Sequence, residues 1–285
     1  MKRINQFPEP AALAAFRTRR PGSTWDEMRD DAIDGGMAAY RSVKSTTLAQ
    51  QRCLCAFCEI KDHNVVPDAE TDQKITNVRI EHFHPKGDSS AETNWHLMWT
   101  NLWAVCFGGD NWPPMAPPDH RHRVMPRHEN LSCDAFKNGQ VERGRLSAKP
   151  EGWILSPDLI PAFPCLFKYT TSGNVEPDST TCQQVAIPGN RLGTTAEIVQ
   201  NTITHLNLNC TRLSRLRSEV MEEVDEYLAG LREADPHNGR QIVAESAANI
   251  FSPNPKQPWP EFFSLYRWLL GDAAEQRLQE IGFTG

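Results

Sequence analysis

The sequence predicts an α+β fold that is mainly helical, and three observations carry that reading. Leu213, Leu216, Val220, Val224, Tyr227, Leu228 and Leu231 repeat at three-four spacing, which lays one apolar face along a helix. The middle of the chain breaks into short β-type runs, at 77–80 and again at 167–175, the latter turning at Ser172-Gly173-Asn174 like a hairpin. Between 79 and 149 stand six of the nine histidines, so polar, chemistry-bearing residues replace regular periodicity there.

Taken in order, residues 1–52 form an N-terminal helical segment. Ser23 or Thr24 is a good N-cap for a helix through Trp25, Met28, Ile33 and Met37 toward Tyr40, with Gly35-Gly36 able to split it. A second helical piece fits 46–51. Residues 53–150 form a central unit: a cysteine knuckle, a polar loop over 62–74, the strand at 77–80, and Trp95, Trp99 and Trp103 at a spacing that would share one helix face as an aromatic core stripe. Within that unit, 107–132 carries Pro113, Pro114, Pro117, Pro118 and Pro126 with His120, His122 and His128, and reads as a surface insertion. Residues 151–190 are a β-hairpin and irregular connection. A C-terminal helical region, 191–285, begins after Thr194 or Thr195 and continues with helices over 241–251, 261–270 and 273–281.

The net charge of −6 speaks against a general nucleic-acid coat, because phosphate binding leans on Lys and Arg. The stretch 79–149 is close to neutral, with nine Lys/Arg against eight Asp/Glu, so local chemistry matters more there than the total. No run of eighteen apolar residues is present, and 11–16 is too short for a signal peptide. The expectation is a cytoplasmic protein with no membrane contact. Arg212, Arg215 and Arg217 open the long C-terminal helix and offer either a phosphate- or partner-binding surface or a solvated face.

Eight cysteines in a cytosolic chain read as thiols or metal ligands rather than disulfides. Cys55-Ala-Phe-Cys58 has the two-residue gap that lets both sulfurs reach one tetrahedral Zn²⁺. Cys106 and Cys133 complete a four-sulfur structural site if the insertion loops out between them; the alternative is a set of buried thiols. Cys53 is a spare, and Cys165, Cys182 and Cys210 read as small buried hydrophobes.

The other polar concentration is 80–86, Ile-Glu-His-Phe-His-Pro-Lys. Glu, His and Lys are costly to bury unpaired, so such a run is rarely a packing device. Metal-assisted phosphodiester hydrolysis needs a base to activate water and oxygen ligands for the ion. His82 suits the first task and Glu81 the second. Asp134, next to Cys133, would be carried in as a further ligand by the zinc site.

Four motifs follow one another in order: Cys-Ala-Phe-Cys-Glu (55–59), Ile-Glu-His-Phe-His-Pro-Lys (80–86), Trp-Thr-Asn-Leu (99–102) and Cys-Asp-Ala-Phe-Lys (133–137). With the later Leu-Asn-Leu-Asn (206–209), Leu213 and Arg217, they resemble the HNH nucleases of the zinc-containing ββα-metal type, and more narrowly the PtuB-type HNH proteins of Septu antiphage systems and certain retrons. The resemblance implies a ββα-metal (HNH) core with a structural zinc knuckle, flanked by N- and C-terminal helices. It implies His82 as general base, Asn101 as the residue that fixes the loop, and Glu81 with Asp134 holding a catalytic Mg²⁺ (or Mn²⁺). His84, Lys86 and Lys137 become candidate substrate contacts. DNA is the implied substrate, with a PtuA-type ATPase complex and a retron reverse transcriptase with its msDNA as implied partners in antiviral defence. Asp134 stands where the family has Asn or His, and the long insertion replaces a short gap, for which His120, His122, His128 or Cys53 are alternative zinc ligands. Two other readings stand beside this one: a non-catalytic zinc-dependent module binding nucleic acid or protein, and a stand-alone restriction-like HNH enzyme for modified DNA.

Overall fold

The computed structural model describes residues 1–61, 64–67, 74–88, 92–109, 128–235, 237–254 and 257–285. After α1 (Ala11–Arg19), α2 (Trp25–Asp30) starts on a capping box, the Thr24 hydroxyl accepting from the Glu27 N–H and the Glu27 carboxylate from the Thr24 N–H. The helix expected to run on to Tyr40 stops here. The Asp31 carboxylate accepts from the N–H groups of Asp34 and Gly36, and Gly35 takes a φ of 87° before α3 (Gly36–Gln50) begins. Ile33 falls in this turn and is 92% exposed, so it leaves the apolar stripe that periodicity gave it.

The stretch read as a polar loop instead holds β1 (Asn64–Pro67) paired antiparallel with β2 (Lys74–Asn77). The next pair positions the site: β3 (Arg79–His82) runs antiparallel to β4 (Leu102–Val105), with Glu81 opposite Trp103 and His82 opposite Leu102. α4 (Cys133–Glu142) follows after the insertion, of which 110–127 lie outside the described residues.

The tryptophan stripe does not form a helix. Trp99 lies in a single 3₁₀ turn and Trp103 in β4, both buried. A spacing of four is even, so it satisfies a strand's two-residue period as well as a helix's, and pairing with β3 decides between them. Alternation along β4 then divides the molecule. Leu102 packs with Trp99, Leu97 and α1–α3 in one apolar core, while Trp103 and Val105 enter a larger core with the cysteine knuckle and the C-terminal helices.

The free edge of β4 is closed by a side chain. Gln51 accepts from the Ala104 N–H at 2.8 Å and donates to the Ala104 carbonyl at 2.7 Å, and the Ala56 N–H reaches the same carbonyl at 3.0 Å. The knuckle is thus hung directly on the strand.

Beyond α4, the expected hairpin is β5 (Phe167–Tyr169) with β6 (Val175–Pro177), its turn carried by Gly173. Gly173 has a φ of 75°, and a Cβ there would lie 1.9 Å from the Ser214 carbonyl oxygen. The C-terminal helices are α5 (Ser179–Cys182), α6 (Thr195–His205), α7 (Thr211–Ala234), α8 (Gly239–Ile250) and α9 (Phe263–Glu280). The two helices expected at the C-terminal end are the halves of α9, separated by a non-helical Gly271 with φ 51°. Among the described residues no helix is long and apolar enough to cross a membrane.

Candidate functional site

The cysteines converge. The sulfurs of Cys55, Cys58, Cys106 and Cys133 all lie within 4.8 Å of one another and all four residues are buried. Cys55–Cys133 and Cys58–Cys106 are 3.8 and 3.6 Å apart. A tetrahedron with metal–sulfur bonds of about 2.3 Å has edges of about 3.8 Å, so the donor set fits a zinc ion. Left to themselves, four buried thiols are a poor arrangement: burial first, then the neighbouring sulfurs, push the Cys133 thiol well above its ordinary value. Among the described residues the alternative ligands take no part. Cys53 and His128 stand outside the cluster, His128 facing Arg143 at 2.6 Å, and His120 and His122 lie outside the described residues.

The geometry of the cluster follows from three anchor points. A tight turn at 55–60 brings the first pair together, the Cys55 N–H donating to the Ile60 carbonyl. Cys106 follows the end of β4. Cys133 opens α4 with a φ of 55°, and the insertion's ends meet where the Ser132 N–H donates to the Gly108 carbonyl at 2.8 Å. The two ends of the insertion are therefore held together.

Asp134, the next residue, is delivered against β3. Its charge acts on Glu81, and Asn138 donates to it at 2.7 Å. Glu81 is buried, and its carboxyl is held well above the usual range by burial first and by the Asp134 charge second, with Lys137 opposing. Lys137 lies 2.5 Å from Glu81 and also donates to the Phe83 carbonyl at 2.8 Å.

His82 sits on the other side of β3, its ring edge-on to Trp25 with centroids 5.0 Å apart. Its Nε2 is 3.1 Å from the His96 carbonyl oxygen. A carbonyl only accepts, so Nε2 carries the proton and Nδ1 keeps its lone pair. Burial lowers the His82 pKa from 6.5 to about 4, so the ring is neutral at pH 7. The Asp134 charge is felt at both His82 and Glu81, which ties the three into one electrostatic neighbourhood.

Asn101 is a clamp. Its Oδ1 accepts from the His84 N–H at 2.6 Å, and its Nδ2 donates to the carbonyls of His84 and Trp95 at 2.9 and 3.1 Å. This ties the end of β3 to the segment that precedes β4.

Several residues sit elsewhere than expected. Lys137, a candidate substrate contact, is fully buried with its protons committed to Glu81 and backbone carbonyls. His84 is buried too, stacked on Trp95 at 4.0 Å with its nitrogens on Asp88 and Glu151 at 2.9 and 2.8 Å. Lys86 is at the surface, 3.4 Å from Asp26. The arginine run divides: Arg212 and Arg217 are buried, and Arg215 is exposed and paired with Glu219 at 3.3 Å. Arg217 donates to the carbonyls of Gly173 and Leu208, an internal brace rather than a phosphate contact. The Leu-Asn-Leu-Asn motif is the part whose role the sequence hid. Asn207 donates to the Glu129 and Leu131 carbonyls, Asn209 pairs with both backbone groups of Val175, and the Leu206 carbonyl accepts from the Cys133 N–H. The loop before α7 thus holds the start of α4. In the sequence the motif entered only as part of the family resemblance, with no structural role attached.

The fold and site define a mainly helical α+β protein with a buried four-cysteine cluster able to hold a metal ion, next to a strand that carries a buried Glu81 and a buried His82. No known family model matches the chain. It is 35% identical over 224 residues, 78% of this chain and 79% of the relative, to the "Retron Ec83 putative HNH endonuclease" of Escherichia coli. The chain belongs to that HNH endonuclease family.

Proposed function

We propose that the protein is a metal-dependent HNH endonuclease that cuts DNA. The observation that carries this reading is the shared first turn of α4, where Cys133 joins the sulfur cluster and the next residue, Asp134, brings a charge that acts on both Glu81 and His82. Strands β3 and β4 with α4 then make a ββα core, and zinc at the four cysteines braces it.

Glu81 and Asp134 would hold the catalytic ion, Mg²⁺ or Mn²⁺. Two carboxylates and the Lys137 ammonium sum to one negative charge, so a divalent ion brings the site to one positive charge, the complement of a phosphodiester. When bound, that ion supplies Lewis-acid stabilisation of the phosphorane-like transition state and the departing oxygen. His82 Nδ1 takes a proton from the attacking water as its oxygen bonds to phosphorus. The bond from phosphorus to the 3′ oxygen breaks, and that oxygen leaves with the electron pair. The His96 carbonyl holds the ring, and Asn101 holds the loop that presents that carbonyl.

The relative's retron association and the Septu-like motifs support a role as effector of an antiphage system in the cytoplasm, with a PtuA-type ATPase complex and a retron reverse transcriptase with its msDNA as partners. A chain of net charge −6 with most of its arginine run buried gains DNA affinity from such a partner. In a plasmid-nicking assay with Mg²⁺ and the assembled complex, His82→Ala and Asp134→Ala are expected to lose about 10²–10⁴ in rate. Full cleavage by both variants sinks the assignment.

A further inference from the structure

Arg212 stands in the first turn of α7 and is only 2% exposed. A guanidinium keeps its charge under all ordinary conditions, so burying one demands a counter-charge. One nitrogen donates to the Ser132 hydroxyl at 2.7 Å, a neutral partner on the residue before Cys133. Its Nε is buried with no hydrogen-bond partner, and no carboxylate pairs with it among the described residues. That hydrogen bond places the buried guanidinium against the residue next to Cys133, at the edge of the sulfur cluster. Burial works against its charge, and the sulfurs of Cys106, Cys210, Cys58 and Cys133 more than offset that, raising its basicity.

Four thiolates around one divalent ion carry a net charge of −2 in a buried, low-dielectric place. That is an anion without a cation on one side and a cation without an anion on the other, side by side. We infer that Arg212 is a positioning residue for the four-cysteine metal site: its guanidinium neutralises part of the metal–thiolate charge and, through Ser132, locks the start of α7 to the start of α4. The C-terminal helical region then contributes to the metal centre although it supplies no ligand. This rests on the cysteines holding a metal, and goes beyond the assignment of the ligands themselves.

The test is a Co²⁺ titration of the full chain, following the thiolate-to-cobalt absorption band, and zinc transfer to a chromophoric chelator. Arg212→Met is expected to weaken metal affinity about 10- to 100-fold, the range typical of outer ligand-supporting groups, without moving the position of the band. Arg212→Lys, which restores charge without the planar fork, is expected to recover most of the loss. A folded Arg212→Met chain that holds metal as tightly as wild type overturns the inference. So does a Lys variant as defective as the Met variant, which would make the role one of shape rather than charge. If Arg212→Met does not fold, the Lys variant alone decides: near-wild-type affinity supports the inference and a Met-like failure to hold metal overturns it. A wild-type chain that binds neither Co²⁺ nor zinc overturns the metal site and this inference together.

Discussion

Cys133 and Asp134 are neighbours in the chain and belong to two different sites. The sulfur site draws its four cysteines from a turn, a strand end and a helix start, and all four are buried. The acid–histidine site is built on oxygen and nitrogen, leaves Nδ1 of His82 without a proton, and holds the Glu81 carboxyl at a cost that its burial makes plain. In the proposed function the first is a brace and the second a reagent. Because they share one helical turn, damage should pass from the brace to the reagent far more readily than in the other direction.

The severest way to break that asymmetry is Cys133→Ser. Structural zinc contributes on the order of 10 kcal/mol of apparent folding free energy in small zinc domains. The variant is expected to lose stoichiometric zinc, near-ultraviolet circular dichroism and cleavage together. Retained zinc with retained cleavage would separate the two sites. Lys137→Met probes the reverse direction. Removing one partner of a buried ion pair costs about 3–5 kcal/mol, so denaturant unfolding should show a loss of that order while zinc content stays at one per chain. If zinc falls with it, damage also flows from reagent to brace.

A pH series sharpens the picture of His82. Its folded-state pKa of about 4 lies below the ordinary 6.5, so the unfolded chain binds the proton first as pH falls. The stability this contributes is fully present above 6.5 and is lost as pH falls toward 4. Compared with His82→Gln, wild type should lose on the order of 3 kcal/mol over that window. An unchanged difference between the two proteins from pH 7 to pH 4 would mean the ring is not buried neutral. The smallest expected effect is Arg215→Ala. This exposed pair with Glu219 should be worth no more than about 0.5 kcal/mol in thermal or denaturant unfolding, with zinc content unchanged.

Much of this was legible beforehand, and the pattern of what was not is physical. The cysteines and the Glu81-His82 run stood out because polar or sulfur-bearing residues at short fixed spacings have few packing explanations, and Asn101 entered only through the family resemblance. The capping box at Thr24 and the glycine break at 35–36 were readable because both act within a few residues. The tryptophan stripe misled because a spacing of four fits strand and helix alike. Arg212, Arg217 and Lys137 misled because a basic residue on a helix reads as surface, and only packing reveals that its charge is spent inside.

Sequence alone determined the ligand types, the division into N-terminal helices, a cysteine-rich centre and C-terminal helices, and the pairing of a histidine with an acid. Those are set by local chemistry: capping, periodicity and donor identity act over a handful of residues. Tertiary structure decided that sulfurs 78 residues apart in the chain, Cys55 and Cys133, come within 3.8 Å, and that the charge of Asp134 therefore acts on Glu81. It also decided which cations face water and which face carboxylates and thiols. Such choices depend on loop closure and burial, which are sums over the whole chain and leave no trace at any single position.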